Sequence, residues 1–176
     1  GMVLFTSYSM LRETTAALEK DLTTDAIPVL AQGLSGSREN ITSLFKRNLE
    51  AVLMGTHSFW EGVDVVGETL SCLVITRLPF AVFTDPIQVA RCEKIEAEGG
   101  DPFRSYSLPN AVIRFRQGFG RLIRHRSDRG VVIVTDRRIM TKSYGASFRK
   151  SLPTRTISLS DRDPFLAAIE ECLNDG

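Results

Sequence analysis

Short apolar runs alternate along the chain with longer stretches in which apolar residues recur every three or four positions. The runs are typical of buried β-strands, and the longer periodicity is typical of amphipathic helices. The runs predict strands at 3–7, 27–31, 51–54, 70–75 and 131–135, and an edge strand at 155–159. The periodic stretches predict helices at 8–21, 37–50, 86–98, 110–126, 140–150 and 164–173. This alternation favours a doubly wound α/β domain with a mainly parallel central sheet, and the run at 70–75 predicts its central, fully buried strand.

The stretch from Asn110 to Arg126 has two different faces when it is read at the period of an α-helix. The apolar face consists of Val112, Phe115, Phe119 and Ile123. The opposite face carries Gln117, Arg121 and Arg124. Two arginines one turn apart suit the outer phosphates of a nucleotide, because each guanidinium matches phosphate oxygens bidentately. The alternative is the solvated basic face of an ordinary amphipathic helix.

Several residues predict how this helix begins, ends and packs. Ser107 is a predicted N-cap, with Pro109 in the first turn, and residues 127–130 predict the stop. Gly118 and Gly120 lie in the helix interior, where each glycine costs up to about 1 kcal/mol. Two glycines so close together indicate that either backbone or a ligand approaches the helix there.

Loops that follow the predicted strands carry the other candidate chemistry, since ligands of doubly wound sheets bind beyond the carboxyl ends of strands. These loops are residues 7–8, 56–67 and 76–77. The longest contains Thr56, Ser58, Glu61, Gly62 and Asp64. Its hydroxyls, carboxylates and glycines can bind phosphate and ribose oxygens, but Ser58 and Glu61 also fit a capping box. Phe59 and Trp60 can either stack on a base or pack in the core.

Composition excludes some classes of protein. The chain is 43% hydrophobic and 24% charged with a net charge of +1, so nucleic-acid binding requires a local basic patch such as residues 114–129. No apolar run is long enough to span a bilayer and no signal peptide is visible, so we expect a cytoplasmic protein without a membrane partner. The widely spaced Cys72, Cys92 and Cys172 form no zinc or disulfide pattern and predict buried, reduced thiols.

Three segments resemble helicase motifs. Gln117-Gly-Phe-Gly120-Arg121-Leu-Ile-Arg124 is similar to the Q-x-x-G-R-x-x-R sequence of motif VI in superfamily 2 helicases. Residues 55–67 resemble motif V of the DinG-type, XPD-like branch, and residues 3–8 resemble its motif IV. The three occur in the order of that family and, with their flanks, cover residues 3 to about 153. The resemblance implies a RecA-like, three-layer domain that is the second motor domain of a DNA helicase.

The resemblance also implies roles for particular residues. It makes Arg121, Arg124 and Gln117 catalytic, with the arginines acting as fingers on the γ-phosphate of ATP. The nucleotide would also be contacted by Glu61, Gly62, Asp64 and Gly120. Single-stranded DNA would be contacted by Ser7, Tyr8, Thr56 and Ser58. Asp136-Arg137-Arg138 resembles a D-x-R element of the family, which we interpret as structural or DNA-facing.

The chain lacks a G-x-x-x-x-G-K-[ST] phosphate loop and a D-E-A-H-like magnesium site. ATP with Mg²⁺ would therefore be bound mainly by the N-terminal motor domain of the same protein, and this chain would hold no metal. We expect residues 1–176 to form one RecA-like domain, a fragment of a longer protein that hydrolyses no ATP alone. The alternatives are a non-catalytic nucleic-acid-binding module and a regulatory or scaffold domain with the same fold.

Overall fold

A computed structural model describes residues 1–24, 26–48, 50–60, 70–81, 85–123 and 130–174 of the chain. Its strands are β1 (Met2–Leu4), β2 (Val29–Ala31), β3 (Val52–Gly55), β4 (Cys72–Ile75) and β5 (Val131–Val134). Its helices are α1 (Tyr8–Thr24), α2 (Arg38–Arg47), α3 (His57–Trp60), α4 (Pro86–Ala97), α5 (Leu108–Leu122), α6 (Arg138–Thr141), α7 (Gly145–Lys150) and α8 (Arg162–Asn174). A π-helical turn, Phe103–Ser107, leads directly into α5.

The five strands form one sheet in the order β2-β3-β1-β4-β5. All four pairings are parallel, and Val3 of β1 pairs with Met54 on one side and Val74 on the other. The carboxyl ends of all five strands therefore lie along the same edge, which we call the carboxyl edge. The predicted doubly wound α/β architecture is confirmed.

Alternating side chains of the strands supply two apolar clusters, because successive residues of a strand point to opposite faces. Leu4 and Leu73 are fully buried in the larger cluster together with Phe115 of α5. Phe5 and Met54 form the smaller cluster with Leu11 of α1. Burial of each such side chain contributes about 1.5–3 kcal/mol, so helices are held against the sheet through both clusters.

Three predictions about the strands and helices are wrong. β1, and not the run at 70–75, is the central strand, and β4 lies next to the edge strand β5 with alternating rather than complete burial. Residues 155–159 form no strand, and their apolar side chains are exposed, including Ile157 at 71%. The helix expected at 140–150 is two short helices, because Lys142 adopts an extended conformation that ends α6.

The arginine-bearing helix α5 begins near the predicted position but ends earlier than predicted. Pro109 lies in its first turn as expected, whereas Ser107 makes no side-chain cap because it already has helical torsion angles at the end of the π-helical turn. Ile123 is extended, so α5 stops at Leu122 and the predicted stop at 127–130 is wrong.

The burial of the cysteines and the apolar character of the helices can also be compared with the sequence predictions. Cys72 and Cys92 are half-buried and Cys172 is exposed, all three as thiols, so the prediction of buried thiols is wrong for Cys172. Among the helices in the described ranges, none combines the length and the apolar character needed to cross a bilayer.

Candidate functional site

Within α5 the two faces lie as the sequence predicts, although Ile123, expected on the apolar face, lies beyond the end of the helix. Phe115 and Phe119 are buried, whereas Gln117 is exposed and Arg121 is half-buried on the other side of the helix. Arg124 lies outside the described residues, beyond the end of α5. The structure therefore places two of the three predicted catalytic side chains on one accessible face.

Arg121 is joined to the loop after β3. Its Nε and Nη2 atoms donate to the backbone carbonyl of Trp60 at 3.3 and 3.2 Å. Trp60 is the last residue of α3, which follows the carboxyl end of β3. Because one carbonyl receives two donors of the same planar guanidinium, it fixes the plane of the group as well as its position. Two segments that are sixty-one residues apart in sequence are thus coupled at this point.

The two glycines of α5 have different surroundings. A Cβ atom on Gly118 would come within 2.8 Å of the buried Trp60 ring, so the glycine allows α3 to pack closely on α5. A Cβ atom on Gly120 would meet no atom of the described residues within 4 Å. The predicted close approach occurs at Gly118, but the group that approaches is the Trp60 side chain and not backbone or a ligand. The helix surface at Gly120 leaves room for a ligand.

The residues of α3 decide between the alternatives left by the sequence. Phe59 and Trp60 are buried, and the Trp60 indole donates to the carbonyl of Phe5 at 3.3 Å. Both aromatic residues are core residues, so stacking on a base is excluded for these side chains. Ser58 is the second residue of α3 and receives a hydrogen bond from Gln32, so the capping-box alternative is wrong for Ser58. Glu61, Gly62 and Asp64 lie outside the described residues.

Gln32 connects the ends of three strands at the carboxyl edge. Its Nε2 atom donates to the hydroxyls of Tyr8 at 2.6 Å and Ser58 at 2.9 Å. Its Oε1 atom accepts from the backbone N–H of Thr56 at 2.8 Å and from the Thr56 hydroxyl at 3.0 Å. Three of the four predicted DNA-contacting residues thus meet at one amide that follows β2.

The partners of Gln32 also determine which way its amide points. A backbone N–H only donates, so the oxygen of Gln32 must face Thr56 and its NH₂ group must face the two hydroxyls. The oxygens of Tyr8 and Ser58 therefore act as acceptors toward Gln32. Each hydroxyl keeps its own hydrogen for another acceptor, and this suits a phosphate oxygen.

The remaining predicted DNA-contacting residues differ in accessibility. Ser7 precedes α1 and its hydroxyl accepts a long hydrogen bond of 3.4 Å from the backbone N–H of Met10. Tyr8 is 49% exposed, whereas Thr56 is 4% exposed with its hydroxyl engaged by Gln32. Tyr8 is thus placed to meet a ligand directly, and Thr56 is placed to hold Gln32.

The buried Asp136 and the partly exposed Arg138 form a hydrogen-bonded support after β5. The Asp136 carboxylate accepts from the backbone N–H of Leu78 at 2.9 Å and from Arg138 Nη2 at 2.6 Å. Burial disfavours ionisation of Asp136, but the hydrogen bonds from Arg138 and Leu78 outweigh it and lower the pKa of the carboxyl. The guanidinium of Arg138 also lies over the Phe80 ring, 5.7 Å from the centre of the ring. Asp136 and Arg138 thus hold the loop in place, as the structural interpretation expects, whereas the exposed Arg137 leaves the DNA-facing alternative open.

Comparison with known proteins identifies the family of this chain. A sequence model described as helicase C-terminal domain matches residues 1–155. The chain belongs to this family. The predicted resemblance to DinG-type, XPD-like helicases is thereby confirmed at the level of the domain.

The known proteins that this helicase C-terminal domain resembles are much longer than this chain. It is 44% identical over 158 residues to the 3′-5′ exonuclease DinG of Bacillus subtilis, covering 89% of this chain and 17% of that protein. It is 43% identical over 167 residues to the ATP-dependent DNA helicase YoaA of Escherichia coli, covering 94% and 26%. The structure of S. tokodaii Xpd4 shares the fold, with a TM-score of 0.58 and 22% identity over 89% of this chain and 30% of that chain. The chain thus spans about a quarter or less of these curated relatives.

Sequence reasoning missed Gln32 in this helicase C-terminal domain. The residue directly follows the apolar run of β2, and Gly33 after it has a left-handed φ of 76°. A polar residue followed by glycine at the carboxyl end of a strand is the one signal that could have identified it. Among the described residues, no group of three or more His, Cys, Asp or Glu side chains is arranged to hold a metal ion.

Proposed function

We propose that this chain is the second motor domain of an ATP-dependent DNA helicase. The link between Arg121 and the Trp60 carbonyl carries the proposal, because it joins the motif VI helix to the motif V loop. A solvated basic helix face has no need of such a link. Arg124 is proposed as a second finger and Glu61, Gly62 and Asp64 as further nucleotide contacts, all four on the resemblance alone.

The described residues fit the outer phosphates of a nucleotide. Arg121 provides an oriented guanidinium, Gln117 provides an exposed amide, and the open surface at Gly120 allows a phosphate to approach the helix. ATP with Mg²⁺, held mainly by the N-terminal motor domain of the same protein, would supply the scissile phosphoanhydride. Arg121 would neutralise the charge that develops on the transferred group once the two domains close.

The carboxyl edge fits the backbone of single-stranded DNA. The hydroxyls of Tyr8 and Ser58 each accept from Gln32, so each keeps its own hydrogen to donate to a ligand. Such donors bind phosphate oxygens regardless of base sequence. Ser7 would add a third hydroxyl, and Thr56 would act by holding Gln32. In this proposal the strand lies on the carboxyl edge while the nucleotide lies against α5, so Trp60 and its α3 helix stand between the two ligands.

Replacing Arg121 by alanine in the full-length protein tests the nucleotide part of the proposal. We expect DNA-stimulated ATP turnover to fall by about a thousandfold or more, the usual contribution of an arginine finger, while the affinity for nucleotide changes much less. Steady-state turnover and equilibrium binding of a fluorescent ATP analogue measure the two effects separately.

Arg116→Ala is the matched control, since Arg116 is an exposed arginine on the same helix outside the motif. Its turnover should stay within twofold of the unaltered protein. Near-normal turnover in Arg121→Ala would reject the finger role and favour a non-catalytic nucleic-acid-binding or scaffold domain.

A further inference from the structure

A pocket of about 410 Å³ opens on the carboxyl edge between the ends of β4 and β5. Thr76 and Arg77 line it from the loop after β4, and Arg137 lines it from the loop after β5. Met10 of α1 also lines it. None of these residues is among the nucleotide or DNA contacts of the proposed function, and Arg137 belongs to the D-x-R element whose DNA-facing alternative is open.

The wall of this pocket is held by hydrogen bonds to neighbouring strands. The Thr76 hydroxyl donates to the carbonyl of Leu4 at 2.9 Å, and the Thr135 hydroxyl donates to the carbonyl of Thr76 at 3.0 Å. Asp136 ties the loop after β5 to Leu78 at 2.9 Å. Three adjacent strand ends, those of β1, β4 and β5, are therefore fixed relative to one another, and the arginines project from a rigid base.

The pocket carries uncompensated positive charge. Arg77 and Arg137 are exposed, and within the described part of the chain no hydrogen bond or ion pair engages either guanidinium. Asp136 is the one carboxylate among the lining residues, and Arg138 already binds it. Two guanidiniums beside a rigid, hydroxyl-lined pocket suit an anion with several oxygens.

The order of the strands indicates which anion this is. β1 lies between β3 and β4, so the pocket adjoins the hydroxyl patch of Tyr8 and Ser58 along the same edge. The distance from β1 to β5 is two strand spacings, roughly 10 Å, which corresponds to about three nucleotides of a stacked strand. We propose that Arg77 and Arg137 bind backbone phosphates of the same single DNA strand, extending its path across β4 and β5. This inference rests on the proposed DNA contact at the carboxyl edge.

Oligothymidylates of 4 to 20 nucleotides, labelled with a fluorophore, test this extension by anisotropy with the 176-residue chain. The affinity of the unaltered chain should rise with length until the whole edge is filled. In the double variant Arg77→Gln/Arg137→Gln, affinity should stop rising at a probe about three nucleotides shorter than for the unaltered chain. Its affinity for the long probes should fall roughly tenfold, with a salt dependence weaker by about 0.7 per lost phosphate contact. Arg77→Lys/Arg137→Lys should recover most of the affinity, because a lysine keeps the charge.

Lys46→Gln/Arg47→Gln is the charge-matched control, since these exposed residues end α2 at the opposite edge of the sheet. It should bind every probe as the unaltered chain does. If the test variant and this control give the same length curve, the extension is wrong while the hydroxyl patch stands. If the test variant loses affinity for ATP but not for DNA, the pocket binds a nucleotide and the inference is overturned. If the unaltered chain binds no probe, the proposed DNA contact fails and the inference fails with it.

Discussion

At the scale of single residues, Gln32 can be tested by a substitution that preserves its shape. Glutamate at this position still accepts from Thr56, but its second oxygen also accepts, so the hydroxyls of Tyr8 and Ser58 must turn their hydrogens inward. We expect Gln32→Glu to weaken binding of single-stranded DNA about tenfold, through the reversed hydroxyls and the added negative charge. The melting temperature should change little, because the hydrogen bonds are retained.

Asn48→Asp is the control for charge, since it adds the same carboxylate at the exposed end of α2. DNA affinity measured by anisotropy should be nearly unchanged in this control. Equal weakening in the two variants would show that Gln32 acts through charge alone and not through the orientation of the hydroxyls.

The lowered pKa of Asp136 leads to a prediction of how the stability of the fold depends on pH. Its pKa is lowered in the folded protein from an ordinary value of 3.8, so its stabilising effect is present above about pH 4 and is lost as the pH falls through the lowered pKa. We expect Asp136→Asn to reduce the free energy of unfolding by about 1–3 kcal/mol at pH 7, because Leu78 and Arg138 lose a charged acceptor. Below pH 4 the difference between the two proteins should shrink.

Urea unfolding between pH 2.5 and pH 7 measures this effect. Asp161→Asn is a suitable control, because Asp161 is exposed and its removal should change stability by less than about 0.5 kcal/mol at either pH. A constant difference between Asp136→Asn and the unaltered chain across this range would show that ionisation of Asp136 does not stabilise the fold.

At the scale of elements, the two glycines of α5 provide a matched pair. Alanine is favoured over glycine in a helix by about 1 kcal/mol, so Gly120→Ala, which meets nothing within 4 Å, should stabilise the isolated chain by up to that amount. Gly118→Ala should instead destabilise it by about 1–3 kcal/mol, because the new methyl group overlaps the buried Trp60 ring. Thermal or urea unfolding of both variants measures the contrast, and a stabilised Gly118→Ala would show that the contact between α3 and α5 is loose.

Sequence pattern predicted the elements that form the buried core and missed those that depend on tertiary contacts. The apolar stripe of α5 and the run of β3 could be recognised because burial selects apolar residues at the positions that face the core. The four-residue helix α3 is too short to show a period, and its position follows from packing of Phe59 and Trp60 on the sheet. The strand order that makes β1 central is set by long-range pairing, which no local pattern encodes.

The candidate site was predictable to a similar extent. Gln117 and Arg121 could be identified because their spacing on a helix is a local property. The Trp60 carbonyl that holds Arg121 is a backbone group, so no side-chain pattern marks it. Gln32 was missed because its importance arises from three loops that meet only in the folded sheet.

At the scale of the whole molecule, the chemistry is divided between this chain and the domain that we propose as its partner. Phosphoryl transfer requires a backbone cradle, a lysine and a held magnesium ion, and the sequence contains neither the phosphate-loop motif nor the acidic magnesium motif. Arg121 can stabilise a transition state only when a triphosphate is already positioned. We therefore predict that the 176-residue chain alone hydrolyses no ATP, with or without single-stranded DNA, even where it binds DNA at the carboxyl edge.

A phosphate-release assay at increasing concentrations of the chain checks this prediction, and Arg121→Ala distinguishes real turnover from contamination. A contaminating enzyme would give the same rate in both preparations, whereas intrinsic activity would scale with the chain and disappear in the variant. The latter outcome would mean that this domain binds and cleaves the nucleotide by itself. Arg121 would then belong to a complete active site, and the Trp60 carbonyl would orient it for a nucleotide held by α5 and the motif V loop without any second domain.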